Sequence, residues 1–413
     1  MNGTTFGAVV VLGLLPIVGS PAYAHPASGL TTNMTHDTPM ASASIHEKKF
    51  LSSIQFLNPR VGFATGYEDK RFSLWRTGDG GSVWQVDPIP GAPTFHFQTP
   101  PVVLFGSANV GWAAWITYGN TGSALTVLRT ADGGKHWAKD AQRISPIMHY
   151  VEQLDFISNK DGWIRAFSGG VMNQGDTSIY RTTNGGKTWT LVSAATGYVP
   201  NKQATPYALP EWDEPMPIDF TSAQDGWAAV GNIETQNSTA TLYHTSTSGR
   251  EWYPIRLPVP HAYQNNYVTV EYPPMFQGTA GTVLVQFSAG SNDDIVSYHT
   301  SNGSKSWTMR SSLTLAEYDN QVFFLNPRVG WIISASGSPM ERTVNGGKSW
   351  SKIPMAGALK QAVQDGFTVS QLAMATVTAG WMLLNRDNPV TGVPASKLLQ
   401  TTDGGHTWTT VRW

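Results

Sequence analysis

The strongest constraint in this sequence is an eight-residue motif that runs from a threonine to a tryptophan and occurs seven times. The copies begin at Thr77, Thr130, Thr182, Thr245, Thr300, Thr343 and Thr401. Their tryptophans are 43 to 63 residues apart. Self-similarity at such a spacing is typical of repeat architectures, in which each unit folds as one supersecondary element.

A second element, a short hydrophobic stretch followed by a glycine and usually an aromatic residue, precedes each copy. Each unit therefore reads as four short strands, with the Thr-to-Trp motif between the third and the fourth. This pattern predicts an all-β fold, a single seven-bladed β-propeller over residues 49–413. The predicted blades cover about 50–90, 98–145, 150–195, 214–258, 270–312, 319–356 and 369–413.

The N-terminal residues have the pattern of an export signal. An apolar run from Gly7 to Gly19 is followed by Ala-Tyr-Ala ending at Ala24, a small-residue cleavage pattern. We therefore predict a signal peptide over 1–24 and a disordered leader over 25–48, and place the mature chain in an extracellular, periplasmic or lumenal compartment. No later segment approaches 18 consecutive apolar residues, so the mature chain is predicted not to span a membrane.

Overall charge and cysteine content exclude several function classes. The formal net charge of −1 gives no electrostatic basis for binding nucleic acid. The chain has no cysteine, which excludes thiol catalysis and cysteine-ligated zinc. The histidines form no metal-binding spacing, and we found no phosphate-binding loop, calcium loop or hydrolase motif. We predict no cofactor and no metal.

The copy at 129–137, Arg-Thr-Ala-Asp-Gly-Gly-Lys-His-Trp, could be taken for an active site, but the other copies favour a structural role. Its acidic position alternates between aspartate, asparagine and threonine, and only the first of these can act as a carboxylate. A side-chain oxygen here can instead close a turn by accepting N–H groups one or two residues on, and the glycines supply positive φ. The structural positions are Asp79, Trp84, Asp132, Trp137, Asn184, Trp189, Thr247, Trp252, Asn302, Trp307, Asn345, Trp350, Asp403 and Trp408.

The motif resembles the Asp-box, or BNR, repeat, clearest in Thr-Thr-Asp-Gly-Gly-His-Thr-Trp at 401–408. Combined with the Asp-Gly-Trp strand and the export signal, the chain is most similar to the photosystem II assembly/stability-factor-like propellers. That resemblance implies a non-enzymatic scaffold that binds a partner protein. Sialidases share the box, but the Arg-Ile-Pro strand that accompanies their arginine triad does not occur here.

Binding specificity is predicted on the face opposite the Thr-to-Trp motifs, where the loops between second and third strands and between blades vary most. Its aromatic and charged residues suit either a protein partner or a glycan. The candidates are Arg71, Tyr198, Tyr207, Glu211, Trp212, Asp213, Glu214, His261, Tyr263, Tyr267, Asp293 and Asp294. The alternative function is a carbohydrate-active protein, either a glycoside hydrolase with two of these carboxylates or a lectin-like binder.

Overall fold

A computed structural model describes residues 49–94, 100–119, 122–168, 176–195, 206–209, 217–229, 231–232, 240–270, 272–289, 292–315, 320–338, 340–387 and 394–413. These residues form seven antiparallel sheets arranged as a seven-bladed β-propeller, which confirms the predicted fold class. The predicted signal peptide and leader lie outside the described residues.

The first four blades are meanders whose strand order follows the chain. Blade 1 contains β1 (Lys49–Phe56), β2 (Gly62–Glu68), β3 (Arg71–Thr77) and β4 (Gln85–Pro88). Blade 2 contains β5 (Val102–Phe105), β6 (Gly111–Gly119), β7 (Gly122–Thr130) and β8 (Ala138–Ile144). Blade 3 contains β9 (Tyr150–Phe156), β10 (Gly162–Ser168), β11 (Asp176–Thr182) and β12 (Thr190–Ala195). Blade 4 contains β13 (Ile218–Phe220), β14 (Gly226–Ala229), β16 (Thr241–Thr245) and β17 (Tyr253–Arg256).

Blade 5 departs from the simple meander because its inner strand is split. Both β18 (Tyr267–Thr269) and β19 (Met275–Gln277) pair with β20 (Ala280–Ala289), and β15 (Gly231–Asn232) adds to β18. The remaining strands of blade 5 are β21 (Asn292–Thr300) and β22 (Thr308–Leu315). Blade 6 contains β23 (Asn320–Asn326), β24 (Val329–Ser334), β25 (Met340–Thr343) and β26 (Ser351–Ile353). Blade 7 contains β27 (Thr368–Met374), β28 (Gly380–Arg386), β29 (Ala395–Thr401) and β30 (Thr409–Val411).

Two short helices lie in the connections between blades, where the sequence predicted none. A 3₁₀ helix (His261–Tyr263) precedes blade 5, and α1 (Gly357–Gln364) precedes blade 7. Leu359 and Ala362 of α1 are buried in the core between blades 6 and 7. Helical spacing of these apolar residues, rather than a strand pattern, explains the element.

The hydrophobic core is divided among the seven junctions between neighbouring blades. Each of the seven buried clusters draws its residues from two adjacent blades. At most junctions an aromatic ring on the second strand stacks on a phenylalanine of the next blade's first strand. Trp163, for example, stacks on Phe220 at 3.6 Å and donates its indole N–H to the Ser248 carbonyl of that next blade.

The glycine before the stacking tryptophan is required because the blade's own phenylalanine lies against it. A Cβ placed on Gly162 would sit 2.4 Å from the ring of Phe156, and five other blades show an equivalent approach. The recurring Gly-aromatic pair in the sequence therefore encodes both the blade interior and the contact with the next blade.

The ring closes at the junction of blades 7 and 1, called the seam below, and every strand of both blades comes from its own repeat. Trp381 stacks on Phe56 at 3.5 Å and donates to the Gly80 carbonyl. The Gln371 side chain makes two hydrogen bonds to the backbone of Ile54, to its N–H at 2.8 Å and its carbonyl at 2.9 Å. Packing, and not strand exchange, therefore closes the ring.

Candidate binding site

The seven Thr-to-Trp turns satisfy their own polar groups. In every copy the threonine hydroxyl accepts the backbone N–H four residues on, as in Gly81 to Thr77 at 2.9 Å. The Asp, Asn or Thr oxygen two residues later also accepts an N–H four residues on, at 2.9–3.0 Å. The expectation that this oxygen bonds one or two residues on was wrong, because the glycine pair curls the chain into a wider loop.

A third hydrogen bond ties each Thr-to-Trp turn to the first turn of its blade. The N–H at the first glycine position donates to a carbonyl between the first and second strands, as in Gly80 to Arg60 at 2.8 Å. The glycine positions adopt positive φ in all seven copies, including Ser248 and Ser304 where serine replaces glycine. These paired turns make up one face of the ring, called the turn face.

The carboxylate of the catalytic-looking copy is fully engaged in this turn. Asp132 accepts the N–H groups of Lys135 and His136, and its second oxygen lies 2.6 Å from His136 Nδ1. Two hydrogen bonds hold the pKa of Asp132 well below its usual range. The larger effect comes from the backbone N–H of His136, and the next from the ring of His136. The same position accepts asparagine and threonine elsewhere with the same hydrogen bonds, so the turn has a structural role.

This structural role predicts different outcomes for two substitutions of one residue. Asn184→Ala removes the oxygen that accepts the Thr188 N–H at 3.0 Å, and should lower the free energy of unfolding by about 1 kcal/mol. Asn184→Asp keeps the acceptor and should change it by less than about 0.5 kcal/mol. Denaturant unfolding of both variants measures the difference. An equal loss in the two would contradict the turn-closing role.

The opposite face, called the loop face, carries part of the predicted candidate set. Tyr263 stacks on Phe287 at 4.6 Å. Burial, followed by the charge of Asp294, raises the pKa of the Tyr263 hydroxyl, and Ser312 opposes this shift. Two neighbours of Tyr263 in the sequence are also accessible: His261 is exposed, and the Tyr267 side chain is 38% exposed. Blade 5 therefore presents a polar and aromatic edge at this face.

The remaining candidates differ in where the structure places them. Tyr207 lies beside Tyr253, and its carbonyl accepts the Trp252 N–H at 2.9 Å. This places Tyr207 at the turn end of blade 4, and its assignment to the loop face was wrong, because Trp252 and Tyr253, which it contacts, lie directly at the end of the Thr-to-Trp turn. Arg71 follows a tight two-residue turn and pairs with Glu68 in register. Tyr198, Glu211, Trp212, Asp213 and Glu214 lie outside the described residues, as does the side chain of Asp293.

A groove of about 620 Å³, called the seam groove, opens at the loop-face end of the seam. Blade 1 contributes Lys49 to it, and blade 7 with its flanking segments contributes the rest. The lining residues are Lys49, Asp365, Phe367, Arg386, Ala395, Ser396, Lys397 and Trp413. The sequence places Arg386 in a loop between second and third strands, on this face, but it does not connect Arg386 with the other seven residues, which lie near the two ends of the repeat array and share no motif.

Cations and aromatic rings dominate the seam groove. Lys49 Nζ lies 4.5 Å from the centre of the Trp413 ring and donates to its carbonyl at 2.5 Å. Arg386 and Lys397 lie 4.6 and 4.5 Å from the centre of Phe367. Cation–π contacts of this kind hold a charged group over a ring without neutralising it.

The one carboxylate side chain among the described lining residues, Asp365, is already paired. Asp365 accepts a hydrogen bond from Lys397 at 2.6 Å, and its carbonyl accepts one from Arg386 at 2.7 Å. The Lys397 ammonium, followed by the Gln361 amide, holds the pKa of Asp365 below its usual range. Among the described lining residues, three cationic side chains stand against one carboxylate side chain, and Lys49 also donates to the main-chain oxygen of Trp413.

A second charged cluster is buried between the inner strands of blades 3 and 4. Arg165 is 4% exposed and lies 2.5 Å from Glu152. Asp155 accepts the Phe220 N–H at 2.8 Å across the junction. Burial raises the pKa of Asp219 to about 6, and burial together with the charge of Asp219 raises that of Asp155. These groups are enclosed within the junction, so they bear on stability more than on binding.

Comparison with known proteins extends the fold assignment only. No family model and no curated protein matches the chain. A structure of YCF48 bound to D1 peptide covers 92% of this chain and 99% of its own at 15% identity, with a TM-score of 0.49. The match to a PL25 ulvan lyase structure covers 87% of this chain and 92% of that chain, at 10% identity and a TM-score of 0.50. The match to a prolyl endopeptidase structure covers 88% of this chain and 49% of that chain, at 11% identity and a TM-score of 0.51. At these identities the likeness is one of fold.

The described residues contain neither a candidate membrane-spanning helix nor a cluster of metal ligands. None of their helices is long and apolar enough to cross a membrane. Within the same part of the chain, no three histidine or acidic side chains come together as metal ligands would.

Proposed function

We propose that this chain is an exported, non-enzymatic propeller that binds an acidic segment of a partner protein in the seam groove. The observation that carries the proposal is that Lys49, Arg386 and Lys397 line one groove, in which the carboxylate of the described lining residues, Asp365, is already paired. Carboxylates are the complementary groups for such a site, and charge-assisted hydrogen bonds to them are stronger than neutral ones.

The chemistry of the groove favours a peptide over a sugar. Sugar rings stack on open aromatic faces, whereas Phe367 is 6% exposed and has two cations near its ring. Glycoside hydrolysis requires a pair of carboxyl groups across a pocket, and the groove is lined by one. The Asp-box resemblance supports the same choice, since it implies a scaffold of the photosystem II assembly-factor kind.

A charge-reversal experiment tests the site. Binding of a fluorescein-labelled hexaglutamate peptide should weaken about tenfold or more in the double variant Arg386→Glu, Lys397→Glu, because two attractive contacts become repulsive. The matched control is Arg60→Glu, Lys135→Glu, which reverses two exposed cations of the turn face. Fluorescence anisotropy at low and high salt measures both. Equal weakening in the two variants would mean that the peptide responds to overall charge and would refute the site.

The carbohydrate-active alternative is tested on the same protein. Chromogenic glycosides and a glycan array should give no turnover and no binding above the charge-reversed variant. Turnover that is lost in Glu211→Gln or Asp294→Asn would show an enzyme instead and would overturn the proposal.

A further inference from the structure

The seam differs from the other six junctions in one respect. The polypeptide runs from each blade into the next, so six junctions are crossed by the chain itself, whereas blades 7 and 1 meet only through non-covalent contacts. Those contacts are otherwise equivalent. The Gln371 bonds to Ile54 match the Gln153 bonds to Ile218 between blades 3 and 4. The seam is therefore the junction most readily opened by a local fluctuation.

The two walls of the seam groove belong to the two sides of that junction. Lys49 begins β1 of blade 1, while Arg386 and Lys397 lie on β28 and β29 of blade 7. Between them Ser396 accepts the Leu51 N–H at 2.9 Å and donates to the Leu51 carbonyl at 3.3 Å. Any group that contacts both walls consequently spans the seam.

Cationic side chains line both walls of the seam groove. The ammonium of Lys49 stands on the blade 1 side and donates to the main-chain oxygen of Trp413, while Arg386 and Lys397 stand on the blade 7 side, where Lys397 pairs with Asp365. An anionic ligand between the walls would be attracted to cations of both blades.

We propose that an acidic peptide segment bound in the seam groove clamps the propeller ring by bridging Lys49 of blade 1 to Arg386 and Lys397 of blade 7. This inference rests on the proposed function, and adds that binding is coupled to closure of the ring. A ligand that binds only the closed seam suppresses seam opening by the factor 1 + [L]/Kd, about 100-fold at a ligand concentration of 100 Kd. Openings elsewhere that leave the groove intact are not suppressed.

Two backbone amides report on this difference directly. The Ile54 N–H is bonded to Gln371 across the seam, and the Ile218 N–H is bonded to Gln153 across the junction of blades 3 and 4, at 2.8 and 2.9 Å. With the full chain and saturating hexaglutamate, hydrogen exchange at Ile54 should slow at least tenfold, while exchange at Ile218 should change less than twofold. Hexaglutamine, inorganic phosphate and heparin serve as comparison ligands.

Matched variants sharpen the test. Gln371→Leu removes the side-chain bonds across the seam and should speed exchange at Leu51, and hexaglutamate should reverse this. Gln153→Leu removes the equivalent bonds at the internal junction and should speed exchange at Phe220, which hexaglutamate should not reverse. The wild-type comparison of Ile54 with Ile218 stands without these variants if either fails to fold.

The outcomes separate the clamp from the proposed function. Saturable binding with equal slowing at Ile54 and Ile218, or with no slowing at Ile54, overturns the clamp and leaves the binding site intact. Absence of hexaglutamate binding overturns both. Equal protection at Ile54 by phosphate or heparin would show a general anion site and overturn the peptide assignment.

Discussion

Replacing Trp381 with alanine should lower the free energy of unfolding by about 3–5 kcal/mol, the range found when a large aromatic side chain is removed from a packed core. Trp381 is 0% exposed, stacks on Phe56 at 3.5 Å and donates to the Gly80 carbonyl. The substitution therefore leaves a cavity at the seam and a buried carbonyl without its donor. Denaturant unfolding followed by tryptophan fluorescence measures the loss.

A conservative variant at the same position separates the two contributions. Trp381→Phe keeps an aromatic ring on Phe56 and loses the indole donor, so it should cost about 1–3 kcal/mol, less than the alanine variant. Blade 1 already has phenylalanine at this position, where Phe63 stacks on Phe105 at 3.6 Å. A loss below about 1 kcal/mol for Trp381→Ala would refute the view that the seam contacts close the ring.

The buried Asp219 should make the protein more stable at pH 4 than at pH 6. Its pKa is raised by burial to about 6, from 3.8 in an exposed carboxyl, so the folded state favours the neutral acid. Between these values the folded protein binds more protons than the unfolded chain, and stability decreases as the pH rises. This contribution to the free energy of unfolding is fully present below about pH 3.8 and is lost above about pH 6. It amounts to about 1–3 kcal/mol, since one pKa unit corresponds to about 1.4 kcal/mol.

Asp219→Asn should remove the part of that dependence that Asp219 contributes, while the buried Asp155 keeps its own. The difference in unfolding free energy between this variant and the wild type should grow by about 1–3 kcal/mol from pH 4 to pH 7, in favour of the variant. Asp387→Asn, at an exposed residue, controls for the loss of one negative charge. A difference that stays constant over this range would show that Asp219 is not a buried, proton-binding group in the folded protein.

The repeat itself allowed the fold to be predicted, because every copy carries the residues that shape one blade. Asp132, Asn184 and Thr247 differ chemically yet accept the same backbone N–H, and their alternation in the sequence is the sign of that role. The span of the hydrogen bond was mispredicted, since it depends on how two successive positive-φ residues curl the chain. The residue type therefore predicts which side-chain oxygen accepts a hydrogen bond, while the local backbone geometry decides which N–H donates it.

The candidate site was harder to predict because it has no local signature. Lys49 and Trp413 are 364 residues apart in the chain and meet only because the ring closes. Arg386 and Lys397 are ordinary surface residues in sequence, and become a site through their placement around Phe367. The proposed seam groove opens at the face opposite the turns, where the sequence predicts binding, but its residues are not the predicted ones.

The pairing of first-strand phenylalanines with rings of the preceding blade has a consequence for synthesis. Every internal junction can form as soon as the later of its two blades is made. Blade 1 is different, because the Trp381 indole that bonds to Gly80 is made 301 residues further along. The first blade made must therefore wait for the last with one apolar side exposed, and this is the surface that a nascent chain would have to protect from aggregation.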